Sequence, residues 1–96
     1  MKIFSLFLIL LCTVADAAEV SFTMDDPNTK EMPLLSPKER NEKILAAFDQ
    51  FHIKGALFVC GMRIDNPEGK NLISAWDQKG HIIANHSYSH FSLNSD

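Results

Sequence analysis

Cysteine is scarce in this sequence. There are two, and Cys12 lies in an apolar run at the N-terminus, so Cys60 stands alone in the rest of the chain. A lone thiol closes no intramolecular disulfide, which excludes a disulfide-stapled secreted scaffold. Next to Leu57, Phe58 and Val59, Cys60 reads as a buried thiol acting as a small apolar residue. A basic excess is missing as well. The formal net charge of -3 leaves no positive face for a phosphate backbone and argues against nucleic acid as a partner. No apolar run is long enough to span a bilayer comfortably, since Ile3 to Cys12 falls well short of the roughly 20 residues a span needs. No stable membrane anchor is therefore expected. The residue before Cys12 is Leu11, where a lipoprotein signal wants a small side chain. With 46% apolar and 22% charged residues, composition is ordinary for a globular chain and excludes disordered and collagen-like classes. At 96 residues there is room for one small domain.

What is present begins with a leader. Lys2 supplies a positive start, Ile3 to Cys12 an apolar stretch, and Ala15-Asp16-Ala17 the small residues that a signal peptidase reads. Residues 1–17 are expected to be a signal peptide, so that the mature chain starts at Ala18 or Glu19. The protein is then secreted or periplasmic.

Beyond the leader, Val20 to Met24 is a short β-rich run that stops at Asp25-Asp26-Pro27. Residues 27–35 carry two prolines and no periodicity, and read as a surface connection. Ser36-Pro37-Lys38-Glu39 is a helix start, with a capping serine, a proline at the first helical position and a glutamate placed to reach back. The helix that follows shows Ile44, Phe48 and Phe51 at helical spacing, with Leu45 and Ala47 widening the stripe. Lys38, Glu39, Arg40, Glu42 and Lys43 read as a solvated face. Ala56 to Cys60, between Gly55 and Gly61, is apolar on both faces, as a strand in a covered parallel sheet must be. Asn66-Pro67 opens a second helix through Leu72, Ile73 and Trp76, and Gly80 closes it. His81 to Asn85 is a third strand. The order strand, helix, strand, helix, strand implies an α/β fold with parallel strands.

In such folds the C-terminal strand ends share one rim, and sites are built there. Asp25 and Asp26 follow the first strand, while His86 and His90 follow the third, so topology gathers all four. Two histidines four residues apart share one face of a helical turn and can reach a single ion. Two imidazoles and one carboxylate leave coordination positions open, the arrangement of a catalytic rather than a structural metal. Such a metal lowers the pKa of bound water to roughly 7. The second carboxylate, beside the metal but not bound to it, can accept a proton from that water. Adjacent residues at a strand end point in different directions, so Asp25 and Asp26 can divide the two roles. His52 and His81 receive no role.

Thr23-Met24-Asp25-Asp26, Gly55-Ala56-Leu57-Phe58-Val59 and the run Gly80 to His90 together resemble the start of a polysaccharide deacetylase of the NodB-homology family. The resemblance implies that Asp25 is the catalytic base and that Asp26, His86 and His90 hold the metal. It further implies a distorted (β/α) barrel and a divalent metal, usually zinc. The implied activity removes acetyl groups from N-acetylated sugars of chitin or peptidoglycan, and sometimes from O-acetylated xylan, so the partner is an acetylated polysaccharide or oligosaccharide. Met24 stands where the family commonly has phenylalanine, and Pro27-Asn28 where many members have glycine.

Two later motifs of the family do not occur in these residues: an arginine-containing segment that orients the base, and a Leu-x-His segment bearing the general acid. Barrels of this kind take about 200 residues or more. The expectation is therefore that residues 18–96 are the N-terminal βαβαβ portion of a deacetylase domain, inactive alone. Two alternatives stand beside it. One is a non-catalytic carbohydrate- or metal-binding remnant, and the other a hydrolase of other non-peptide C–N bonds on the same scaffold.

Overall fold

The computed structural model describes residues 18–92 and 94. The expected signal peptide, residues 1–17, lies outside them. The described chain runs β1 (Thr23–Asp25), α1 (Pro37–Gln50), β2 (Ala56–Val59), a short 3-10 turn (Gly61–Arg63), α2 (Pro67–Gln78) and β3 (Ile82–Asn85). The strands form one parallel sheet in the order β1-β2-β3. The alternating α/β arrangement expected from the sequence is the one observed, and it forms part of a (β/α) barrel. Among the described residues, no helix is long and apolar enough to cross a membrane.

Local chemistry accounts for the helix ends. The Ser36 hydroxyl accepts the Glu39 N–H at 3.3 Å, and Glu39 Oε2 accepts the Ser36 N–H at 2.9 Å. This reciprocal capping box satisfies N–H groups that the first turn leaves without carbonyl partners. Asn66 caps α2 by accepting the Gly69 N–H at 2.8 Å. Gly80, at φ 77, takes the left-handed position that ends α2. Lys54 Nζ then donates to the Lys79 carbonyl at 2.6 Å, satisfying one of the exposed C-terminal acceptors.

Register sorts the sheet into two faces. Met24 pairs with Leu57 and Leu57 with Ile83, whereas Asp25 pairs with Phe58 and Phe58 with Ala84. Met24, Leu57 and Val59 meet the helices, where the core of Leu45, Leu57 and Trp76 is joined by Ile44, Phe48, Leu72 and Ala75. Strand side chains alternate, so Asp25, Phe58 and Ala84 share the opposite face. Cys60 is fully buried, as its apolar neighbours predict, and its thiol donates to the Tyr88 carbonyl at 3.1 Å.

Three details differ from the sequence reading. The first strand starts at Thr23 rather than Val20, because pairing begins only where β2 lies alongside. Phe51 falls on the C-cap of α1 and is 65% exposed, so it leaves the stripe, in which Pro37, Asn41 and Leu45 are buried and Ile44 and Phe48 are half-buried against the core. Arg40 is not simply solvated. Its guanidinium donates to the carbonyls of Leu35 at 3.1 Å and Lys30 at 2.9 Å, pinning the loop that follows Asp26.

Candidate metal centre

Asp26, His86 and His90 come together at the C-terminal rim of the sheet, with one potential ligand atom from each lying within 4.8 Å of the others. The carboxylate arrives through a backbone twist at the end of β1. Asp26 adopts φ 55 while its N–H still donates to Phe58 O at 3.0 Å, continuing the strand pairing by one bond. The left-handed conformation is uncommon for a non-glycine residue, and aspartate is among those that tolerate it best. It ends the extended run of β1 at Asp25.

The histidines reach the site by a route the sequence reading does not foresee. Residues 86–90 are not a helical turn. They form a tight loop in which Ser87 (φ 65) and His90 (φ 57) are both left-handed. Side chains of the loop impose that path. Asn85 Oδ1 accepts the Ser87 N–H at 2.7 Å, and Ser87 Oγ accepts the His90 N–H at 3.0 Å. Short polar side chains hold such turns by replacing backbone partners. The loop is also fastened to the segment after β2, where Gly61 N–H donates to Ser87 O at 3.1 Å and Met62 N–H to Tyr88 O at 2.9 Å. The imidazole centroids end 5.0 Å apart.

Within the cluster, His90 Nε2 lies 3.2 Å from Asp26 Oδ2 and His86 Nε2 lies 4.0 Å from Asp26 Oδ1. The Phe58 ring flanks His86 edge-on at 6.3 Å and borders the site with apolar surface. Asp26 Oδ1 is buried and has no hydrogen-bond partner among the described residues. A buried carboxylate oxygen without a donor is costly unless a cation satisfies it. Two imidazole nitrogens and one carboxylate oxygen are, moreover, a donor set suited to zinc and similar divalent ions. The residues present therefore fit a divalent metal.

The remaining expected site residue, Asp25, is exposed at the end of β1, and its carboxylate makes no hydrogen bond or ion pair among the described residues. Two residues near the site or the core escaped the sequence reading. Arg63, in the turn that follows β2, brings Nη1 to 3.9 Å from Asp26 Oδ2. Its position directly after a strand C-terminus was the available signal. His81 is buried, accepts the Gly55 N–H on Nδ1 at 3.0 Å, and packs against Phe48 and Trp76. Its work is in the core. His52, with φ 55 beyond the end of α1, joins neither group.

No curated protein and no solved structure matches this chain. The family model for polysaccharide deacetylase matches residues 14–96, a stretch that includes every strand and helix described above and all four rim residues. The parallel βαβαβ unit and its rim agree with that match, and the chain belongs to the polysaccharide deacetylase family of carbohydrate deacetylases.

Proposed function

We propose that this chain carries the metal-binding half of an active site that deacetylates N-acetylated sugars of the chitin or peptidoglycan type. Asp26, His86 and His90 hold the ion, zinc in the first instance, and Asp25 is the base. The observation that carries the reading is the convergence of three ligand atoms within 4.8 Å, one of them on a carboxylate with an unsatisfied buried oxygen.

A divalent ion held by Asp26, His86 and His90 would supply Lewis-acid polarisation of the acetyl carbonyl and a more nucleophilic water at neutral pH. The protein's own residues do the rest. Ser87 and Asn85 hold the histidine loop, so the backbone that carries the two imidazoles is set before any ligand arrives. Asp25 has no competing partner and can accept the proton that water loses as it attacks the acetyl carbon. The C–N bond then breaks, and the departing amine needs a proton. By the family resemblance that proton comes from the histidine of the Leu-x-His segment.

The test is zinc stoichiometry and affinity in the chain and in Asp26→Ala, His86→Ala and His90→Ala. Each substitution is expected to remove most of the binding. Stoichiometric zinc in all three variants would remove this site from the reading. The reaction is expected outside the cytoplasm, a proposal that rests on the Lys2, Ile3 to Cys12 and Ala15-x-Ala17 pattern. Exported protein should begin at Ala18 or Glu19, and retention of Met1 on N-terminal sequencing would contradict this.

A further inference from the structure

We infer that Arg63 is a resident counter-cation of the metal centre, which neutralises Asp26 in the metal-free protein and lowers the affinity of the site for a divalent ion. The inference rests on the assignment of Asp26, His86 and His90 as the ligands. Two cationic or hydrogen-bonding groups approach the same oxygen, Asp26 Oδ2. His90 Nε2 is at 3.2 Å and Arg63 Nη1 at 3.9 Å. Arg63 makes no other ion pair among the described residues, and the nearby Asp65 pairs with Lys70 at 3.5 Å. The charge of the guanidinium therefore acts on the carboxylate on which the metal depends.

Whether such an arginine helps or hinders metal binding turns on what it does to Asp26. A separation of 3.9 Å is an ion-pair distance but too long for a hydrogen bond, so Arg63 does not set the orientation of the carboxylate. Backbone contacts do that instead. The Asp26 N–H donates to Phe58 O at 3.0 Å, and the Asp26 carbonyl accepts from Asn28 Nδ2 at 3.3 Å. With orientation already supplied, the arginine contributes charge alone. A guanidinium stays protonated at every accessible pH, so it repels a dication held by the same carboxylate. Its side chain is 42% exposed on the short turn Gly61–Arg63, which leaves it room to withdraw toward water when an ion enters. A site of this kind binds its ion less tightly than three ligands alone would, and exchanges it more readily.

The experiment is zinc titration by calorimetry of the purified chain, Arg63→Gln, Arg63→Lys and His90→Ala, at low and high sodium chloride. Arg63→Gln is expected to bind about tenfold more tightly than the unaltered chain, the scale of one charge acting on a dication across a solvated gap. Arg63→Lys, which keeps the charge and loses the planar fork, is expected to stay within about twofold of the unaltered chain. The difference between Arg63→Gln and the unaltered chain should shrink in high salt, which screens an exposed charge. A merely structural arginine would show neither the lysine rescue nor the salt dependence. If the unaltered chain binds zinc through His90 but Arg63→Gln binds equally or more weakly, the inference is overturned while the ligand assignment stands. If the unaltered chain binds no zinc, or His90→Ala binds it undiminished, the ligand assignment fails and the inference falls with it.

Discussion

The indole N–H of Trp76 donates to Asn41 Oδ1 at 2.6 Å, joining α2 to α1 through the buried interior. Trp76 is 1% and Asn41 9% exposed, so no water stands ready to replace either partner. Asn41→Ala leaves the indole N–H buried and unsatisfied, at a cost of about 1–3 kcal/mol. Urea denaturation should show the midpoint falling with an unchanged slope. An unaltered midpoint would mean that the hydrogen bond contributes nothing to the docking of the two helices.

The stability of the fold should fall in mild acid because of His81. Burial is the main cause that holds its pKa below the ordinary value of 6.5, and the charge of Lys54 adds to it, with Lys79 contributing less and Asp49 acting in the opposite direction. Gly55 donates to Nδ1, so the neutral ring carries its proton on Nε2, and a second proton on Nδ1 would face an N–H. The folded protein thus resists a proton that the unfolded chain accepts. Stability is full above pH 6.5 and is lost as pH falls below it toward the lower folded pKa. His81→Asn can still offer Gly55 an acceptor but does not titrate. Comparison of urea midpoints between pH 5 and 7 should show a flatter profile for the variant, and parallel profiles would exclude His81 as the source.

Gly69 is a packing requirement. A Cβ there would meet the Ile64 carbonyl oxygen at 2.3 Å, its Cα at 2.5 Å and its carbonyl carbon at 2.7 Å. These are backbone atoms of the segment entering α2 and cannot swing aside. Helix propensity alone would favour alanine, yet Gly69→Ala should destabilise by about 1–3 kcal/mol, the range of an overpacked core. Thermal denaturation decides the sign, and a raised Tm would show that the entry to α2 yields easily.

The two neighbouring aspartates should separate cleanly in a protein that also carries the family's general acid. Asp26→Ala should lose metal and deacetylation together. Asp25→Asn keeps the shape of the side chain without its basicity, so metal should remain while turnover falls by roughly 10²-fold or more. Metal analysis with acetate release from acetylated chito-oligosaccharides reads both. Metal lost in Asp25→Asn and kept in Asp26→Ala would reverse the roles.

Much of this was legible locally. Ser36, Pro37 and Glu39 define the start of α1, and Asn66, Pro67 and Gly80 bound α2, because capping depends on side chains within four residues of the groups they satisfy. The grouping of Asp26 with His86 and His90 also followed from sequence, since parallel strands bring their C-terminal ends to one side whatever the details of packing. The helical turn assumed for His86 to His90 did not follow. Periodicity cannot see that Asn85 and Ser87 cap their own loop, or that Gly61 and Met62 donate to it from another segment. Phe51, apolar and correctly spaced, was misplaced because α1 ends before it.

The sequence by itself determined the order of elements, their parallel arrangement and the residues brought to the rim, all of which rest on short-range propensity and on the direction of the chain. Only the tertiary structure decided the partners of Arg40, Arg63 and His81. Arg40 reaches back to the Asp26 loop, Arg63 turns to Asp26, and His81 enters the core. Long side chains carry their charge several ångströms from the backbone, so where each one ends depends on which distant segment lies beside it, and no local pattern encodes that.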